Sequence, residues 1–271
     1  MYSKRKESFS LANNHTNFKA VAFPREHGSW GFVFEPLVLS LIVAFSPAGL
    51  QIAIASFLAF LAHQPVRIIL RKAASKALKK NAVIFLGIYF FAASFCMFGV
   101  IKKTDIHLLF PLAIVLIFML YFLYLETVNS ARNVYAELIG PVAIDLIALT
   151  IVLIDGWTVP SAVAFFIVLL NRSVPTTFFI HERLNKLKHH KVNIKRIYYI
   201  SVAGLIAVIV LAVVDLVPFL SVVAVLLLLV RVITGFAKFA EKLTVKQIGI
   251  LEFIYGALFV IITAAGYLTG I

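Results

Sequence analysis

Phe23-Pro24-Arg25-Glu26-His27-Gly28-Ser29-Trp30-Gly31-Phe32, with Glu35-Pro36 close behind, stands where a polar leader gives way to the first long apolar run. Charges, an imidazole and glycines pressed against such a run mark a chain entering a bilayer. The composition of the whole chain fits that reading. The chain has 271 residues, of which 62% are hydrophobic and 14% charged, and its mean hydropathy is +1.01. Soluble domains are about a quarter charged. A chain this apolar cannot hide its surface in a water-soluble core. The apolar runs are continuous rather than alternating, which excludes a β-barrel and predicts an all-α, polytopic helical bundle. Cys96 is the only cysteine, so no intramolecular disulfide or cysteine-rich metal site forms.

A hydrocarbon core of about 30 Å takes roughly 20 apolar residues per helix. This length divides the chain into nine spans, near 30–47, 49–69, 82–100, 107–125, 136–154, 158–181, 197–214, 216–236 and 248–269. Ser46-Pro47, Asp155-Gly156-Trp157 and Asp215 with Pro218 separate tight pairs, as turn residues between helices do. With the N-terminus inside, the inside segments are 1–29, 67–81, 126–135, 172–196 and 231–247. They carry 23 of the 25 basic residues, all but Lys102 and Lys103. The positive-inside rule then places the N-terminus inside and the C-terminus outside, and it accounts for the net charge of +13 without nucleic acid. Residues 1–22 read as a polar tail, disordered in part, with no signal-peptide pattern. Residues 23–271 read as one transmembrane domain. Segment 72–80 reads as a basic interfacial helix, or a helix continuation, on the anionic inner leaflet.

Polar groups inside a bilayer are costly and are functional candidates by default. Arg25, Glu26, His27 and Glu35 form the first set. Gly28 and Gly31 allow close backbone approach there. The set reads as an entrance segment facing a polar cavity, or as an interfacial anchor with Trp30 in the aromatic belt. Glu35 is deep enough to need a partner or a proton. His63, Arg67 and Arg71 end the second span, spaced by four and hence on one helical face. They read as an anion site suited to phosphate, or as ordinary flanking charge. Glu126, Asn129, Arg132, Asn133, Tyr135 and Glu137 form a polar loop, read as a local ion-pair network or a ligand contact. Arg172 stands before the end of the sixth span. Pro175 after it frees a helix carbonyl next to Thr176 and Thr177. His181 and Glu182 come next, in a basic segment. Asp145, Arg231 and Glu252 lie inside spans, as interhelical ion pairs or as ligand groups. No Walker, dinucleotide or metalloprotease motif is present, and His189-His190 is a weak metal signal.

Three segments carry a resemblance: Phe-Pro-Arg-Glu-His-Gly-Ser-Trp-Gly at 23–31, Arg-Ser-Val-Pro at 172–175, and Ile-Gly-Ile-Leu-Glu-Phe-Ile-Tyr-Gly at 248–256. They resemble the YwiC-like family of bacterial membrane proteins, and the resemblance runs over nearly all of the chain after residue 20. The layout also resembles the UbiA-type intramembrane prenyltransferases. That resemblance implies nine helices around a central cavity, with a prenyl diphosphate held through magnesium by two Asp-rich motifs. The first motif would fall at His63, Arg67 and Arg71, and the second near Thr177, His181 and Asn185. The aspartates are absent, so magnesium is not expected, and arginines would meet a diphosphate directly.

The resulting expectation is an integral protein of a bacterial plasma membrane. It would bind or transfer an isoprenoid, or another amphiphile with an anionic head, in a cytoplasm-facing cavity. Arg25, Glu26, Glu35, Arg67, Arg71, Arg132, Arg172 and Thr176 are the candidate ligand contacts. His27, His63, His181 and Glu182 are the candidate catalytic groups, with His63 and His181 orienting the head or moving protons. A small-molecule transporter and a non-catalytic assembly partner of a respiratory complex are the alternatives. Membrane lipids are the expected partners, nucleic acid is not, and no cofactor is expected.

Overall fold

The computed structural model describes residues 18–24, 27–71, 74–127, 134–237 and 243–271. Every regular element among them is helical. A short helix α1 (Phe18–Ala22) precedes α2 (His27–Val43), α3 (Pro47–Leu70) and α4 (Lys76–Ile101). A 3-10 turn (Ile106–Leu109) leads into α5 (Phe110–Thr127), followed by α6 (Val134–Ile154) and α7 (Val159–Leu187). The last three are α8 (Ile194–Val213), α9 (Phe219–Gly235) and α10 (Val245–Thr269).

Helices α2 to α10 match the nine expected spans in order. Seven of the stretches are long and apolar enough to cross a membrane, while Trp30–Val43 and Phe219–Gly235 are shorter apolar helices. The chain is thus an all-helical, multi-pass membrane protein. The helix ends follow from local chemistry. Ser46 caps α3 by accepting the Gly49 N–H at 3.0 Å, with Pro47 in the first turn where a missing N–H costs nothing. Thr244 and Gln247 form a capping box on α10. The α6–α7 turn places Gly156 at φ +95°, where a side chain would be strained.

Helices α6 and α7 form the centre. Of the apolar stretch of α7, 67% is buried within the protein, against 11% for α4 and for α5, which face outward. Helix α6 packs on α2, α3, α5 and α7, and α10 packs on α2, α7 and α9. These contacts bring α2, α7, α9 and α10 together around one polar cluster.

One feature differs from the sequence reading. Residues 18–22, the end of the expected polar tail, form α1 docked on α3 and α4, where Tyr89 Oη donates to the Ala22 carbonyl at 2.9 Å. Arg172 and Arg231, which the sequence places within their spans, lie within helices and are 4% and 2% exposed. They belong to the interior, because carboxylates on neighbouring helices neutralise them there.

Candidate functional site

The cluster begins at Arg172 of α7. Its Nε donates to Glu35 Oε2 at 2.7 Å and its Nη2 to Glu35 Oε1 at 3.0 Å, a bidentate pair. Nη1 donates to Thr176 Oγ1 at 2.7 Å and reaches Glu252 Oε2 at 3.5 Å, and Nη2 also meets the Glu252 carbonyl at 3.2 Å. Arg231 of α9 donates from Nη1 to the same Glu252 Oε2 and from Nη2 to Thr176 Oγ1 at 3.3 Å. Two guanidinium groups and two carboxylates from four helices form one closed, neutral network. Burial makes that balance necessary, since an unpaired ion in a low-dielectric interior is costly.

Next to Arg172 on α7, Ser173 bonds Asp145 of α6, and both are buried. Pro175, inside α7, has no N–H to give the Asn171 carbonyl. Its neighbours Thr176 and Thr177 are nonetheless buried, the first in the network and the second donating to the Ser173 carbonyl at 2.9 Å.

Beside the network lies a cavity of about 260 Å³ between α7, α9 and α10. Arg183, Arg231 and Glu252 supply its polar wall, and Phe179, Leu243 and Leu251 supply an apolar one. Arg183 is 1% exposed, with its guanidinium 5.9 Å from the centre of the Phe236 ring. Arg231 is stacked 4.4 Å over the Phe179 ring. Its Nε is buried and has no hydrogen-bond partner among the described residues.

The sequence candidates fall in different places. Glu35, Arg172 and Thr176 come together in the network. Arg67 and Arg71 do not join them. Arg67 is exposed in the last turn of α3, and Arg71 lies past the helix end in extended backbone, so the four-residue stack stops at Arg67. The His63 ring packs 5.5 Å from Phe122 of α5. His181 pairs with Glu137 of α6 at 3.3 Å at a partly exposed position. Glu182 accepts the Asn193 N–H at 3.3 Å, bracing the turn into α8. Trp30 sits in an aromatic cluster with Phe57 and Phe60 of α3, at 6.1 and 5.4 Å. Arg25, Glu26, Asn129, Arg132, Asn133 and the side chains of Glu126 and His27 lie outside the described residues.

Arg183 is a site residue that sequence reasoning passes over, because among Lys186, Lys188 and Lys191 it reads as one more flanking charge. The signal is present in the spacing. Arg172, Thr176, Phe179 and Arg183 recur at four, three and four residues, one face of a helix that continues to Leu187.

Residues 23–152 match the family model of YwiC-like proteins, a stretch that includes the Pro-Arg-Glu-His-Gly box and Glu35. Comparison with curated proteins and with solved structures gave no match. The matched stretch, just under half of the chain, is similar to the YwiC-like proteins.

Proposed function

We propose that the protein binds an amphiphile with an anionic head, the head lying between Arg183 and Arg231 and the tail leaving along Phe179, Leu243 and Leu251 into the bilayer. The observation that carries this reading is the cavity itself, whose wall holds two buried arginines, Arg183 and Arg231, beside the apolar Phe179, Leu243 and Leu251. A guanidinium meets an anionic oxygen better than a neutral one. The cavity volume of about 260 Å³ is near the low end for ligand sites, so it suits a head group and the first carbons of a chain.

The UbiA-like layout, part of this proposal, makes a prenyl diphosphate the first candidate, met by guanidinium groups without magnesium. The positive-inside rule puts the basic end, where the cavity lies, on the cytoplasmic side of a bacterial plasma membrane. The reading assigns binding and no bond-making step. A transporter is the second reading, favoured by the ion network joining α2, α7, α9 and α10. It predicts substrate flux in proteoliposomes that is lost in Glu35→Gln.

The test is thermal stability of the detergent-purified protein against prenyl diphosphates and their neutral alcohols, with and without a chelator. Ligand at about 100 times Kd stabilises by about 2.7 kcal/mol. The expected result is a midpoint shift for the diphosphates only, kept under chelation. It should be lost in Leu251→Trp, which fills the cavity, and kept in Arg67→Ala/Arg71→Ala. No shift with any anionic amphiphile would overturn the reading and favour a partner-binding role. A shift lost only in the Arg67/Arg71 variant would move the head site to the end of α3.

A further inference from the structure

Asp145 is completely buried in the middle of α6, 0% exposed. Its Oδ2 is bonded to Ser173 Oγ, and its Oδ1 has no partner among the described residues. Ser173 Oγ also lies 3.0 Å from the Leu169 carbonyl, in donating position. A serine hydroxyl has one hydrogen and can donate once. Two contacts with two acceptors therefore leave one hydrogen too few. The count closes if Asp145 is a carboxylic acid that donates to Ser173, while Ser173 donates to Leu169.

The surrounding charges agree. Glu35 from α2 is held by Arg172 from α7, and Glu252 from α10 is shared by Arg172 and Arg231 from α9. Both guanidinium groups are thereby balanced, and neither bonds Asp145. Other helices packed on α6 bring no cation to it. The titratable groups of α3 are His63, packed on Phe122, and the exposed Arg67. The 3-10 turn brings only the exposed His107, and α5 has no charged residue before Glu126. Glu137, the other carboxylate of α6, is exposed near its first turn. An ionised carboxylate here would hold one hydrogen bond and no counter-charge, at a cost far above that of the neutral acid.

We infer that Asp145 is a proton-binding site in the membrane interior, with Ser173 as acceptor of its acidic hydrogen. The proton keeps the cluster of Asp145, Glu35, Glu252, Arg172 and Arg231 neutral. Its removal would set three carboxylates against two guanidinium groups and give Asp145 a claim on Arg172. Proton occupancy at Asp145 is thereby linked to the pairing of Arg172 with Glu35 and Glu252. This inference is independent of the anionic-amphiphile reading, since it needs no ligand.

The test is infrared difference spectroscopy of the purified full-length protein at neutral pH, wild type against Asp145→Asn, with the melting midpoint measured alongside. The expected result is loss of a carboxylic-acid C=O band with no loss of carboxylate bands. The midpoint should change little, because the Asn amide also donates to Ser173. Loss of carboxylate bands instead would overturn the inference. If Asp145→Asn does not fold, Ser173→Ala decides. A carboxylic-acid band moving to higher frequency as its hydrogen bond is lost supports the site, and an unchanged acid region overturns it.

Discussion

Gly256 of α10 lies directly against the carboxylate of Glu35 on α2. A Cβ built at position 256 would stand 1.8 Å from Glu35 Oε1 and 2.7 Å from Arg172 Nη2. The bidentate pair therefore occupies the space that any side chain at 256 would need. Helix α10 approaches α2 and α7 closely because this position has no side chain, as small residues permit at membrane helix interfaces.

Gly256→Ala should destabilise the protein by about 1–3 kcal/mol, the usual cost of forcing extra atoms into a packed interior. Gly249→Ala, on the same helix with open space around it, should be close to neutral. Midpoints of thermal unfolding in one detergent compare the two directly. Equal effects would mean that α10 does not press on the ion pair.

Breaking the network on one side should cost more than removing both sides. Arg172→Leu leaves Glu35 buried without its bidentate partner, and a stranded charge of this kind costs about 3–5 kcal/mol. Adding Glu35→Leu removes that charge and should recover much of the loss. A double-mutant cycle on unfolding midpoints checks this, and simple additivity would contradict the pairing.

Helix α1 is held partly by the Tyr89 hydroxyl on the Ala22 carbonyl, at 2.9 Å. Single interhelical hydrogen bonds in membrane proteins average about 0.6 kcal/mol, so Tyr89→Phe should cost no more than that globally. Its local effect should be larger. Hydrogen exchange at residues 18–22 should quicken while the rest of α4 keeps its protection. No change there would mean that apolar contacts alone hold α1.

The fold is legible in the sequence because it is written in bulk hydropathy. Ser46-Pro47, Asp155-Gly156 and Asp215 with Pro218 punctuate runs long enough to span, and α2 to α10 obey that punctuation in order. Glu35 is legible as a group that needs a partner, since an acid that deep cannot stand alone. That the partner is Arg172, 137 residues away, is not legible, because interhelical pairing depends on which faces meet. Arg67 and Arg71 show the opposite case. Their spacing fits an anion stack, but whether a helix continues far enough to build it depends on its last turn, and α3 ends before Arg71. Arg183 is hidden by its basic neighbours, and only the length of α7 turns it inward.

The most direct test of the central claim is photolabelling with a photoreactive prenyl diphosphate analogue in bilayers, with peptide mapping of the adduct. The cavity between α7, α9 and α10 predicts labels within residues 243–255 or 179–183, competed by unlabelled diphosphate and reduced by Leu251→Trp. Competable labels confined to residues 63–71 of α3, or no competable label, would contradict it.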